Sequence, residues 1–454
     1  MHPPIANGTD PRPSFWLRVR EFAVPPSMIE TATDRRLAGD WSGACAAAGF
    51  DSEIDLREIA HNNGRDVAAQ ILADLHNLAP DLLRWHLPRV APDGLLRPGL
   101  TVTLARYGSP ERRKPCGTDG SVHLVARTAP AWADAGQRIV LTLWDGSIAT
   151  RHPHPHPNRR YRLDLHRHLW DARRSTDLPT RCGTGQSPPA HVADHTLADA
   201  VPEGAALDRW AAESDILLRA DRVRDGPVRV RCGGRHDLVI EPVVRGGRPA
   251  AVRLVNGYPR GRLAALPVLP DAATWVLPDL ELVRSGAIAV DRLHPLVAAA
   301  LEPSWSPPDR SPTPNGANRF HVVDCRGERH RIGLADGALT ALDHDPTEIR
   351  REELLVALGG TPLPCLQAID QAHRSPDCLP GVRERLDHGD LAGALAVVEG
   401  LLGHDAALRD GPLKDELTAS VDRRGTYDSF RAGPVEPPPS RPRRADRSRR
   451  VRSH

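Results

Sequence analysis

Two stretches, RLAGDWSGACA at residues 36–46 and RLDHGDLAGALA at residues 385–396, repeat one plan near opposite ends of the chain. Each sets Gly-Asp between an Arg-Leu pair and a run of small residues. A glycine that follows a helix can take the left-handed conformation that ends it, and an aspartate directly after it caps the next helix. The echo therefore predicts a helical hairpin at each place. One comprises a helix ending near Ala38 and a second at 41–48. The other pairs 382–388 with 391–402. Gly43-Ala44 and Gly393-Ala394 would let the paired helices approach closely.

A second echo lies inside this frame. VRVRCGGRH at 228–236 and VVDCRGERH at 322–330 each run an extended apolar segment into Cys, a tight Gly turn and Arg-His. Alternating segments follow each copy, separated by Gly246-Gly247 and by Asp336-Gly337, so both read as three-stranded meanders. Strand-like sequence also occupies 101–107, 121–127 and 137–144, and Tyr161, Leu163 and Leu165 alternate as in a further strand. Amphipathic spacing predicts a helix at 66–78, and helices are expected at 207–220 and 275–301 with an interruption near Gly286. Asp345-Pro346-Thr347-Glu348 has the residues of a helix start at cap, first and third positions.

The fold class expected is α+β, with helical hairpin units at both ends flanking antiparallel β-meanders and a disordered basic C-terminal tail. The parts that follow begin with a flexible leader at 1–27 and an N-terminal helical unit at 28–90. An antiparallel β-rich region at 98–172, a loop at 173–206, and a helix with a β-meander and helices at 207–302 come next. A Pro-rich linker at 303–317, a β-meander with helical hairpin at 318–420 and a disordered Arg-rich tail at 421–454 complete the chain. Over about a dozen residues at each end, the Gly-Asp hairpins loosely resemble those of tetratricopeptide-type repeats. The 34-residue period of that family does not occur.

Composition narrows the function classes. Aromatic residues make up 4% of the 454, so any core is built mainly from Ala, Leu and Val. No stretch approaches the ~20 apolar residues of a membrane span, and the start lacks a secretory signal pattern. A cytoplasmic protein with no membrane partner is expected. The seven cysteines (45, 116, 182, 232, 325, 365 and 378) are scattered and never spaced as C-x-x-C, which reads as reduced thiols. Lys114 and Lys414 are the only lysines, so Arg carries the positive charge. From Gly433 onward seven Arg face Glu436 and Asp446, leaving a net −3 for residues 1–432. The tail could contact nucleic acid by counterion release, but no aromatic after Phe430 is available to stack on bases.

Three places could carry chemistry. In the His-rich stretch RHPHPHP (151–157), x-Pro repeats point alternate imidazoles apart, whereas Asp164, His166 and His168 would share one strand face. Cys232 with His236, and Cys325 with His330, could each give two metal ligands if the meanders packed face to face. Their ordinary reading is a buried thiol at a strand end and an exposed Arg-His turn. Asp343-His344-Asp345 could orient a base, although Asp345 is already explained as a helix cap. No Gly-rich phosphate loop or His-Glu-x-x-His occurs. The expectation is no catalytic residue, no metal and no cofactor, and an interaction or adaptor protein whose partners are other proteins. The alternative is an enzyme with a His/acid site between meanders and helices, near His166, His168, His330 or His344.

Overall fold

A computed structural model describes residues 12–108, 121–134, 136–146, 152–183, 197, 200–233, 237–245, 248–306, 321–335, 338–403 and 407–432. It begins with helix α1 (Arg12–Phe22) inside the stretch expected as a flexible leader. Phe15, Trp16 and Val19 of α1 are buried in the largest core cluster, so apolar contact orders residues that the sequence pattern left unassigned. The first hairpin then forms from α2 (Pro26–Leu37) and α3 (Trp41–Ala47). Gly39 turns the chain at φ +79°, and Asp40 accepts a hydrogen bond from Gly43 N at 2.7 Å. Arg35 pairs with the same carboxylate at 3.1 Å.

Beyond it come β1 (Phe50–Ser52), α4 (Leu56–Asn63), α5 (Arg65–His76) and α6 (Pro80–His86). The short pair β2 (Arg89–Val90) and β3 (Leu95–Leu96) leads into β4 (Thr101–Tyr107), β5 (Val122–Thr128) and β6 (Ile139–Trp144). The main sheet has the order β1-β6-β5-β4, with β1 parallel to β6 and the other pairs antiparallel. One face sends Val102, Leu104, Leu124, Ala126, Ile139 and Leu141 into the main core. The opposite face is polar, and the His-rich segment covers part of it. His152 Nε2 donates to the Thr128 carbonyl at 3.0 Å, and its Nδ1 accepts from His154 N at 3.2 Å. His156 lies edge-on to Trp144, with ring centroids 5.8 Å apart. These imidazoles are wall material of a sheet face.

Residues 161–169 form 3-10 turns rather than the expected strand. Leu163 enters the main core while Leu165 packs on a second cluster, so the chain must turn between the two. The expected loop at 173–206 contains a 3-10 segment and α7 (Leu178–Arg181). The second cluster is built by α8 (Trp210–Ala220) packed on the meander β7 (Val228–Arg231), β8 (Asp237–Arg245) and β9 (Arg248–Leu254). Helices α9 (Asp271–Thr274), α10 (Pro278–Arg284) and α11 (Pro295–Leu301) follow, with Gly286 at φ +69° interrupting them as expected.

The second meander is β10 (His321–Cys325), β11 (Glu328–Ala335) and β12 (Ala338–Ala341), followed by α12 (Pro346–Ala357) and α13 (Pro364–Arg374). The turns at Gly246-Gly247 and Asp336-Gly337 and most of the linker at 303–317 lie outside the described residues. The second hairpin, α14 (Leu379–His388) and α15 (Leu391–Leu402), repeats the bonding of the first. Gly389 has φ +83°, Asp390 accepts from Gly393 N at 2.9 Å, and Arg385 pairs with Asp390 at 2.7 Å. Residues 412–432, partly expected as disordered tail, form α16 (Pro412–Ala432). Its Tyr427 is fully buried and donates to Asp51 at 2.8 Å. The rest of the Arg-rich tail, 433–454, lies outside the described residues. The fold is thus α+β, with helical hairpins near both ends around antiparallel meanders.

Candidate metal centre

The meander β10–β12 ends a turn away from four side chains that converge. Cys325, His330, His344 and Cys365 each offer a ligand atom, and these atoms all lie within 4.8 Å of one another. Local structure explains each position. Cys325 closes β10 opposite Glu328, across a two-residue turn in which Arg326 and Gly327 take φ +60° and +87°. Asp324 Oδ1 accepts from Gly327 N at 3.2 Å, which holds this turn. His330 sits on β11 opposite Val323. His344 follows β12 and precedes Asp345, whose carboxylate accepts from Thr347 N at 2.7 Å and caps α12. Cys365 is in the first turn of α13, fully buried in the small cluster with Cys325, Ile332, Ala341, Leu363 and Ile369.

Both imidazoles are oriented from behind. His330 Nδ1 and His344 Nε2 face each other at 2.7 Å. The outer nitrogen of His330 lies 3.5 Å from Glu328, and that of His344 lies 3.3 Å from Glu348. A carboxylate behind the far ring nitrogen fixes the tautomer and raises ligand basicity, as is usual for metal-bound histidine. The two thiols are hydrogen-bonded, and burial together with Cys325 pushes Cys365 up to about 12. Cys365 therefore does not ionise readily by itself. A divalent cation inverts that preference and is neutralised by two thiolates.

Two thiolates and two imidazoles in a tetrahedral arrangement suit Zn²⁺. At Zn–S of about 2.3 Å and Zn–N of about 2.0 Å, tetrahedral ligand atoms are about 3.3–3.8 Å apart. The present spacings bracket this range, with the two imidazole nitrogens at 2.7 Å needing to part slightly and no ligand pair beyond 4.8 Å. Four protein ligands leave no position for substrate, which is the pattern of a structural site.

The remaining candidate residues are placed elsewhere. His166 bonds Arg162 O at 3.1 Å and Glu213 at 3.1 Å, and Arg181 grips the same carboxylate at 2.7 Å. Burial works to raise the Glu213 pKa, but His166 and Arg181 outweigh it and hold the acid far down. His168 is driven well below the usual histidine range by burial, then by His166 and Arg181. This is a buried, internally paired cluster. Asp164 belongs to an ion pair with Arg162 at 2.9 Å and Arg106 at 3.0 Å. Cys232 packs in the second core, where burial pushes its thiol up to about 12. It does not join Cys325 and His330, and His236 lies outside the described residues. Asp343 engages Arg331 rather than His344, through the backbone N at 2.7 Å and the guanidinium.

Of the four, Cys325 and His330 are legible in the sequence as ligands and His344 only as a base, whereas Cys365 is not legible there. The available signal was local density: two Cys and two His fall on one meander and the start of the second helix after it. No protein-family model, curated protein or solved structure matches the chain.

Proposed function

We propose that this chain is a non-catalytic interaction protein whose second meander and α12–α13 segment are organised by a bound zinc ion. The closed Cys325–His330–His344–Cys365 set, with a carboxylate behind each imidazole, carries this reading. The surrounding core is small, and a structural metal offsets the folding cost that such a core cannot meet by apolar burial alone.

The use of this module is suggested by α12. None of its residues is buried, and Leu354, Leu355 and Val356, with Leu358 just past its end, are exposed. Leu358 is 87% exposed and Leu354 66%, which is unusual for a cluster of apolar side chains on one short helix. The helix starts two residues after His344 and is braced by Arg326, which reaches Glu352 at 2.6 Å. Metal binding would fix the start of a helix that offers leucines to another protein.

The test has two readouts on the full chain. Elemental analysis of protein purified without chelator should give one zinc per chain, and Cys365→Ser should lose it. Affinity capture from the native host should retain a partner that Leu354→Glu/Leu358→Glu does not hold while its zinc content is unchanged. Absence of zinc from the native chain, or a partner indifferent to both variants, would overturn the proposal.

A further inference from the structure

A second site lies on the polar face of the main sheet, far from the metal centre in sequence. A cavity of about 330 Å³ opens there beneath α16. Arg127 and Val140 are cross-strand partners on its floor, and Thr142 is two residues along β6 on the same face. Ala129, Leu143, Tyr427 and Phe430 supply apolar wall, while His152, Glu53 and Arg431 complete the lining.

Arg127 is the anomaly. It is only 7% exposed, and its Nε and Nη2 have no hydrogen-bond partner among the described residues. A buried guanidinium with two unpaired nitrogens is costly, and native structures rarely retain one. The neighbouring charges do not satisfy it. Glu53 favours the Arg127 charge from across the cavity but pairs with Arg431, at 3.4 Å, and Arg431 also reaches Asp51 at 3.5 Å. His152 spends both ring nitrogens on the backbone, Nε2 donating to Thr128 O at 3.0 Å and Nδ1 accepting from His154 N at 3.2 Å.

We infer that this cavity is a binding site for a small organic acid, whose carboxylate meets Arg127 and whose apolar body packs on Tyr427 and Phe430. A guanidinium receives a carboxylate in a two-point fork. The charge balance favours a monoanion: Arg127 offers two unpaired nitrogens, and Glu53 in the same lining repels a doubly charged phosphate. The Thr142 hydroxyl is placed on the same wall as a further donor. This site stands independently of the zinc reading.

Ligand-observed saturation-transfer NMR on the full chain tests it, with benzoate as probe, benzamide as its uncharged counterpart and inorganic phosphate as competitor. Benzoate should bind saturably, benzamide at least tenfold more weakly, and phosphate should not displace benzoate. Arg127→Met keeps the length of the side chain and should weaken benzoate at least tenfold while leaving the fold intact, since it removes an unsatisfied charge. Phe430→Ala provides a second variant in which benzoate should weaken several-fold. Absence of saturable benzoate binding, equal binding of benzamide, displacement by phosphate, or unchanged affinity in a folded Arg127→Met would each overturn the inference.

Discussion

Arg84 Nη2 donates to the carbonyl oxygen of His388 at 2.8 Å, across 304 positions of the chain. The same guanidinium reaches Ala23 O at 2.9 Å, Gln137 O at 2.7 Å and Ala48 O at 3.4 Å. Ala48 ends the first Gly-Asp hairpin, and His388 ends the first helix of the second. One buried cation thus collects the ends of both repeated units, with α1 and the approach to β6 between them. Burial lowers Arg84 to about 10, so it remains charged at neutral pH.

Replacing Arg84 should therefore destabilise more than the loss of one side chain suggests. Removal leaves several buried carbonyls without donors, each costing about 1–3 kcal/mol. Urea unfolding of Arg84→Met should show a loss of at least about 3 kcal/mol, and Arg84→Lys should not restore it, because an ammonium cannot fork to spread acceptors. A midpoint within error of the native protein would refute this account of the clamp.

The two hairpins also differ in a way that glycine substitution reads out. Gly39 and Gly389 share the left-handed conformation, but a Cβ on Gly39 meets nothing within 4 Å. On Gly389 it collides with the Gly136 carbonyl, a backbone group that cannot swing aside. Gly39→Ala should cost about 1–2 kcal/mol, from backbone strain alone. Gly389→Ala should cost about 1–3 kcal/mol more, from overpacking. Equal thermal melting temperatures for the two variants would show that the second hairpin is not seated on residue 136.

Their caps should rank in the same order. Asp390 is buried at 8% exposure, whereas the Asp40 side chain is 40% exposed. Loss of a helix cap costs about 0.5–2 kcal/mol, and Asp390→Ala should fall at the upper end because the half-buried Arg385 then loses a buried partner. Chemical denaturation of both alanine variants measures the difference.

Acid stability has a defined contribution from His86. Burial lowers its pKa from 6.5 to about 4, with Asp279 opposing and His294 and Arg89 reinforcing the shift. The unfolded chain takes up a proton near 6.5 and the folded chain only near 4. This group's contribution is therefore full above pH 6.5 and is lost as pH falls from 6.5 towards 4. The difference amounts to about 3 kcal/mol at 1.36 kcal/mol per pH unit. His86→Gln should flatten that limb of the stability curve, measured by denaturation at stepped pH.

Chelation offers a separate check on the metal centre. Stripping zinc should expose residues 321–374 to limited proteolysis while the main sheet stays protected, because their small core is the part tied to the ligands. Acidification should release the metal in the same way, since thiolate and imidazole ligands take up protons. Cleavage sites unchanged by chelator would count against a structural zinc.

The parts of this fold that were legible in the sequence are those decided locally. Gly39-Asp40 and Gly389-Asp390 specify a turn and a cap within a few residues, and both formed as read. The meanders were legible for the same reason. Helix α16 was not, because Leu413 and Tyr427 are its only buried residues and give little amphipathic pattern. Residues 161–169 alternate like a strand, yet Leu163 and Leu165 serve different cores, a condition no local pattern reveals. The candidate metal set was half visible. Cys325 and His330 lie within one hairpin, but Cys365 joins them only after α12 has carried the chain out and back.

Tyr427 reaches Asp51 from 376 residues downstream. At about 5–20 residues per second of synthesis, the aspartate emerges roughly 20–75 s before the phenol that seals it. Once β5 and β6 have followed, the nascent sheet displays for the rest of that interval an uncapped wall containing Arg127. Growing chains of this protein therefore pass through a long stage in which a finished framework is missing its roof, and chaperones or early-arriving ligands have their opportunity then.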